Sequence, residues 1–577
     1  MGGPTTAAER AADLERRFGA PGDPDNPLGA DRVLAADDAR VLLPEAERML
    51  DDFGLAAEFV PASLGGRLES LDGLARVART VFRHDPALGA GYGLTAFPAA
   101  VAVWLAGAPE QRHGTARRLL DGGRICAAYP EPTRGNAFLR NDFTAVRDGD
   151  GFVLDGGKTA FNNVARAGSL VVFARTNGQE TSTSTNSGSG SAFLLDLQDL
   201  PPDGFRMLPR RATVGLPGCS IGGIEFLDCP VPSTALLGGF GDGTALAAHA
   251  TLITRAVQPS MTLGCADTAL RTAVAFASAS RAGRRSRLRT PRVDTVLTGA
   301  FADLLMCDSL ALAASRAAHL RPRASIVYSA VTQYLLPRVL TETVQSLSAV
   351  LGSESYATGG TLGLFRRTVR DLPMIGLGHA GSAVCLADVV ARLPELSGAW
   401  RGGDEAPAAL FRTEPGPLPS CFGPPPHAAA PPGDPLAATV RAAAAEWADS
   451  GRADGRLLAV LTRALAAELE RLRAWCAGAH PTDPARHGAP GYAVADRYAT
   501  VLAGAACLGV RRHRSPGEDP FLDDPAWLVT VLARVLRRLG VPSPAPGSGI
   551  RDRLLGEVVS RFDGARGYDL YATRVSV

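Results

Sequence analysis

Residues 151–158 read Gly-Phe-Val-Leu-Asp-Gly-Gly-Lys. Phe152-Val153-Leu154 is a run of β-formers, and Asp155-Gly156-Gly157 is turn chemistry, so the stretch predicts a strand running into a turn. Leu170 to Ala174 and Ala192 to Leu197 are further short apolar runs of the same kind. Ile224 to Pro232 closes the region. Together they predict a small β domain over 121–235. Within it, Asn177 to Ser191 is polar and low in complexity, which predicts a flexible loop between strands.

Outward from this β domain the pattern turns helical on both sides. Ala36 to Phe53 and Leu71 to Phe82 carry apolar residues at three- and four-residue spacings, so 1–120 reads as a helical domain. Ala245 to Ala282, Val293 to Leu320, Ser325 to Val350 and Ala383 to Leu396 are long periodic segments. They suit a four-helix-type bundle over 236–400. Residues 401–435 are dense in Pro, Gly and Ala and read as a linker. Residues 436–577 are helical again, with Leu457 to Trp475 strongly amphipathic. The expected fold class is therefore mainly α with a central small β domain and a C-terminal helical extension.

The chain has 577 residues, 46% of them hydrophobic and 20% charged, with a net charge of +2. That balance excludes a disordered or fibrous chain and calls for no nucleic-acid or anionic-membrane partner. The nine cysteines contain no C-x-x-C pair, and the nine histidines no H-E-x-x-H. Neither a disulfide framework nor a metal site is expected. The polar N-terminus lacks the apolar core of a signal peptide, so a cytoplasmic location is expected. Ala87 to Ala108 is uncharged over 22 residues, long enough to span a bilayer. Its glycines, its internal Pro98 and its lack of a basic flank favour a buried helix pair instead. The tract either lines a substrate tunnel or is simply core.

Short motifs narrow the reading. Gly54-Leu55 with Val60-Pro61 and Gly65-Gly66, then Gly107-Ala-Pro-Glu-Gln-Arg112, lie ahead of Cys126-Ala-Ala-Tyr-Pro-Glu-Pro132. The block Gly151 to Lys158 ends on the single lysine of the chain. Thr254-Arg255 with Gly264, and Leu351-Gly352, Tyr356 and Arg370-Asp371, follow in order. In this colinear arrangement, over roughly 40–400, the chain resembles the acyl-CoA dehydrogenase superfamily. The tail resembles the extra helical unit of its long forms.

The resemblance implies an FAD-dependent oxidoreductase acting on an acyl thioester, carried by CoA or an acyl carrier protein. It implies FAD between the β domain and the bundle, an electron-transfer partner, and a homodimer or homotetramer. A carboxylate of the family removes the α-proton while the β-hydrogen leaves as hydride to the flavin.

Several positions depart from the family pattern. The family's E-P-G-x-G-S-D loop is here Glu131 to Ala137, preceded by Pro130 where a flavin-contacting Thr is usual, with Asn136 in place of the Ser. The family's W-I-T stretch over the flavin is Ala160-Phe161-Asn162. Ala160 lacks the aromatic cover, and Asn162 is expected to replace the hydroxyl as a donor. The pyrophosphate arginine maps to Ser280 in an ungapped alignment and to Arg281 after a one-residue shift. Arg284, Arg285 and Arg287 keep this segment basic, as an anion site or an exposed loop. Arg255 is expected near the substrate. The family's catalytic Glu, nine residues beyond the Arg of the Arg-Asp pair, is His379 here. Three readings stand. His379 is the base; or the chain is a flavin-dependent monooxygenase of the same fold, many of which carry a His in this neighbourhood; or it is a degenerate, non-catalytic partner subunit.

Overall fold

The computed structural model describes residues 6–129, 142–176, 190–279, 281–282, 285–376, 381–400, 406–414, 416–423, 433–447, 453–478, 484–514 and 519–577. The chain begins with helices α1 (Ala7–Phe18), α2 (Ala30–Asp38), α3 (Pro44–Phe53), α4 (Leu71–His84), α5 (Pro86–Leu88), α6 (Ala96–Ala106) and α7 (Pro109–Leu120). The periodic run 36–53 is thus two helices. Arg40 in a left-handed conformation and Pro44 at a helix start break it. Between α5 and α6, Gly89–Leu94 forms a π-helical turn, so the apolar tract 87–108 is an interrupted helix.

Eight strands follow: β1 (Ile125–Ala128), β2 (Thr144–Asp148), β3 (Gly151–Asn162), β4 (Ser169–Thr176), β5 (Gly190–Asp196), β6 (Phe205–Leu208), β7 (Ile221–Pro232) and β8 (Leu236–Leu237). They form one sheet in the order β6-β7-β3-β2-β4-β5-β8, with β1 paired in parallel to β4. The alternation of β4 explains how the sheet joins the rest. Leu170, Val172 and Ala174 face the sheet's own core, with Phe152, Phe193 and Phe226. Val171 and Phe173 face the helical core. The loop expected at 177–191 lies, through 189, outside the described residues.

Long helices then build the main core: α8 (Gly243–Met261), α9 (Leu263–Ala279), α10 (Pro291–Leu320), α11 (Pro322–Leu351) and α12 (Gly360–Ile375). The expected segment 245–282 is split at Thr262, three residues after Pro259. A two-strand hairpin, β9 (Arg281–Ala282) with β10 (Arg285–Ser286), separates α9 from α10. Shorter helices α13 (Ser382–Val390) and α14 (Leu393–Ala399) complete this part.

The extension contains α15 (Pro435–Glu446), α16 (Ala453–Gly478), α17 (Pro484–His487), α18 (Ala489–His513), α19 (Pro525–Arg538) and α20 (Ser548–Asp563). Helices α18, α19 and α20 pack directly on α10. Asp434 pins the joint: its carboxylate accepts from Tyr328 Oη at 2.7 Å, Trp400 Nε1 at 2.6 Å and Tyr498 Oη at 2.5 Å. The described parts of the stretch expected as a linker are packed as well. Leu410 and Phe411 are buried, and the Ala409 carbonyl accepts from Arg316 Nη1 at 3.0 Å. Apolar burial outweighs the loop-like composition here.

Among the described residues, three helical stretches are long and apolar enough to cross a membrane by length and composition: 86–106, 291–320 and 489–513. The most apolar 18-residue window is 94% buried in the second and 83% buried in the third, which marks both as core helices. All nine cysteines are free and buried. No cluster of metal-ligating side chains occurs among the described residues.

Candidate functional site

The end of β3 is where the sheet meets the helices. A register shift between Thr159 and Phe161 makes a bulge in β3. Ala160, inside it, has φ 60°, and its small side chain is exposed while Phe161 turns into the sheet core. Bulges re-aim side chains next to functional sites. Asn163, also left-handed at φ 63°, ends the strand, and its N–H donates to the Ser220 carbonyl at 2.8 Å.

Two asparagines project from this bend onto the π-helical turn. Asn162 Nδ2 donates to the Ala90 carbonyl at 3.0 Å and to Thr95 Oγ1 at 2.9 Å. Asn163 Nδ2 donates to the Gly91 carbonyl. A carbonyl only accepts, so both amide nitrogens are fixed on that side and both oxygens point away from it. Asn162 Oδ1 and Asn163 Oδ1 are buried without a partner among the described residues. Asn162 therefore offers an acceptor, with its two N–H groups already engaged. This reverses the donor role expected from sequence.

The π-turn is held from below by ionic contacts. Asp85 Oδ1 accepts from the N–H groups of Ala87 at 2.8 Å and Leu88 at 3.1 Å, and from Arg367 Nη2 at 2.7 Å. Asp37 accepts from Arg370 Nη1 and Nη2, both at 2.7 Å, and lies 3.0 Å from Arg367 Nε. Burial pushes the Asp37 carboxyl up, but the Arg370 hydrogen bonds and the two guanidinium charges outweigh it and hold the group below its ordinary range. Asp371 accepts from Arg370 Nε at 2.7 Å and from the Leu216 N–H at 2.8 Å. Leu216 is left-handed at φ 50°, so this bond fixes a bent loop. Cys219, from the same loop, lies beside Gly91, and burial pushes its thiol up to about 12. It is packing, not a nucleophile.

Arg255 belongs to a separate contact set. It is buried on α8 and donates from Nη1 to Asp388 Oδ2 on α13 at 2.7 Å, and its Nε has no hydrogen-bond partner among the described residues. Thr254 spends its hydroxyl on the Thr251 carbonyl. Asp371 is consumed by Arg370 and Leu216, while Glu354 is exposed on a short turn after α11.

His379, Pro130, Glu131 and Asn136 lie outside the described residues. Arg281 is described for its backbone alone, in strand β9. The connection that carries His379, between α12 and α13, is anchored at its near end: Gln333 Nε2 donates to the Gly376 carbonyl at 3.2 Å. Sequence reasoning missed the π-turn, Asn163, Asp37 and Asp85. Asp85-Pro86 ahead of three alternating glycines was the available signal for a capped, irregular turn.

Helices, a central sheet and a helical bundle, in this order, define the acyl-CoA dehydrogenase fold. Residues 126–229 match the family described as acyl-CoA dehydrogenase, middle domain. The human mitochondrial short-chain specific acyl-CoA dehydrogenase is 29% identical over 252 residues, 42% of this chain and 58% of that protein. The chain thus spans little more than half of that relative's length. The structure of butyryl-CoA dehydrogenase from Megasphaera elsdenii is 18% identical with a TM-score of 0.58, covering 67% of this chain and 98% of that one. A structure of PigA with FAD and proline is 17% identical with a TM-score of 0.58, covering 66% of this chain and 95% of that one. The chain has the acyl-CoA dehydrogenase fold, and its residues 126–229 match that family's middle domain.

Proposed function

We propose that this chain is an FAD-dependent oxidoreductase that dehydrogenates an acyl thioester between its α and β carbons. The observation that carries the proposal is the bent end of β3. Ala160 leaves the bulge open, and beside it two buried asparagine oxygens lack donors among the described residues. Orphaned buried acceptors are costly unless a ligand or water supplies N–H or O–H groups. A flavin's polar ring edge is such a ligand, so the residues present fit the group. Asn162 and the 160–162 backbone would hold the ring, and Arg281 a phosphate. When bound, FAD accepts the hydride equivalent.

The chain's own part is positioning and proton transfer. The ionic set Asp37, Asp85, Arg367, Arg370 and Asp371 fixes the π-turn, the 216 loop and the last turns of α12. His379, four residues beyond α12, takes the α-proton as a neutral imidazole. Because the human relative is a short-chain enzyme, butyryl-CoA is the first substrate to try. Under anaerobic conditions it should bleach the bound flavin. The rate should rise with pH through about 6.5, the ordinary histidine range. His379→Ala should slow the bleaching by about 10²–10⁴-fold, with flavin retained. An undiminished rate in that variant removes His379 as the base.

A second reading rests on Asn162. An acceptor there suits a ring nitrogen that carries hydrogen, as in a reduced flavin, and so favours a monooxygenase of the same fold. Oxygen consumption with reduced flavin, and no bleaching by acyl thioesters, would select it.

A further inference from the structure

A cavity lies where the extension meets the bundle. It has a volume of about 490 Å³, within the range of small-molecule sites. Its floor is α10 and its walls are α19, the start of α20 and residues 540–546. That last stretch, Gly-Val-Pro-Ser-Pro-Ala-Pro, holds three prolines. They stiffen the wall and remove backbone donors from it. Ala533, Val541, Pro542 and Ala545 make much of the lining apolar.

The polar lining is one-sided. Arg534, Arg537 and Arg551 line the cavity, and no carboxylate does so among the described residues. Gly299 makes room for the first, since a Cβ there would lie 2.6 Å from Arg534 Nη1. Arg534 is neutralised by Asp303, to which its Nε donates at 2.7 Å. Arg538, next door, pairs with Glu342 at 2.7 Å. Arg537 has no acidic partner among the described residues. The partial desolvation of this largely exposed side chain and the neighbouring Arg534 and Arg538 charges outweigh the attraction of Asp303 and make its protonated form less favourable than usual. Arg551 has only a long contact to Thr295 Oγ1, at 3.4 Å, and its buried Nε is without a partner among the described residues. The hydroxyls of Thr295, Thr298 and Thr530 are already donated to their own helices.

From this arrangement we infer that the cavity binds a small organic anion, with a carboxylate or phosphate head on Arg537 and Arg551 and an apolar body against the proline-rich wall. Guanidinium forks match both heads, and an anion would relieve the mutual repulsion of the arginines. The inference rests on the cavity's own lining and stands whether or not the flavin reading holds.

Calorimetric titration of the full chain tests this, with decanoate, decyl phosphate and decylamine as probes. Saturable binding of decanoate or decyl phosphate is expected, whichever head is preferred, with decylamine at least tenfold weaker. Arg537→Ala and Arg551→Ala should each weaken the anion about tenfold or more. Arg537 is exposed, so its variant should fold normally. Ala533→Trp should fill the cavity and abolish binding without changing charge. The inference is overturned if neither anion binds saturably. It is equally overturned if decylamine binds as well as the anions, or if both arginine variants bind them unchanged.

Discussion

Asp37→Asn removes the charge on which two guanidiniums converge and keeps the side chain's shape. Asp37 is 7% exposed and holds Arg370 at 2.7 Å through two nitrogens and Arg367 at 3.0 Å. Breaking a buried ion pair on one side costs about 3–5 kcal/mol, because the partner charge is left uncompensated. Asp371 and Asp85 remain as counter-charges, and the Arg370 side chain is 28% exposed, so the lower end, about 3 kcal/mol, is expected. A chain of this size does not unfold in one step, so a global midpoint is the wrong readout. Hydrogen exchange followed by mass spectrometry reads the locality instead. Amides of the 216 loop, the π-turn and the end of α12 should exchange roughly a hundredfold faster, with the α15–α19 region unchanged. The carboxyl of Asp37 is held below its ordinary range, so its contribution is complete above the unfolded value of about 3.9 and fades as pH falls through the folded one. The variant should lose that acid-dependent component. Exchange at the 216 loop within twofold of wild type would refute the claim that this ionic set holds the site together.

Two further predictions address the packing of the stretch 406–423. His319 Nε2 accepts from the Leu71 N–H at 3.1 Å, and Nδ1 donates to the Pro419 carbonyl at 2.7 Å, a pairing that requires the neutral ring. Burial lowers its pKa, so stability carried by this contact should be full above about 6.5 and decline as pH falls below that value; protease cleavage near 419 should accelerate at pH 5.5, and should not in His319→Gln. Gly509→Ala would gain about 1 kcal/mol from helix propensity alone, yet its Cβ would lie 2.2 Å from the Phe411 ring, so a net local loss of about 1–3 kcal/mol is expected, read as faster hydrogen exchange around Phe411 and the C-terminal half of α18, and slower exchange there would show that Phe411 is not packed against it.

Much of the fold was legible because its elements carry strong periodicity. The continuous apolar run 170–174 gives the strand, and its burial on both faces, between two cores, explains why no polar residue interrupts it. Helix α10 is buried nearly all round, so pattern located it and its neighbour α11 but could not say what covers them. The cover comes partly from the extension, through contacts such as Asp434 with Tyr328, which join residues 106 positions apart. Composition misled at Phe411, where neighbouring prolines suggest a loose segment and a single buried ring fixes it. The site was less legible for a related reason. Motif spacing led to Asn162, but the direction of its amide is set by Ala90 and Thr95, about seventy residues upstream. No local pattern encodes that choice. Asp37 and Asp85 look like ordinary helix-end acids until Arg367 and Arg370 arrive from α12.

Flavin binding separates an enzyme from a non-catalytic chain most directly. Purified protein, stripped and then titrated with FAD, should regain a yellow spectrum with maxima shifted from free flavin, at about one FAD per chain. Asn162→Leu, which removes the orphaned oxygen beside the β3 bulge, should weaken that titration at least tenfold. Wild-type protein that binds neither oxidised nor reduced FAD, with its fold intact by circular dichroism, would contradict this reading and favour a non-catalytic chain on the same fold.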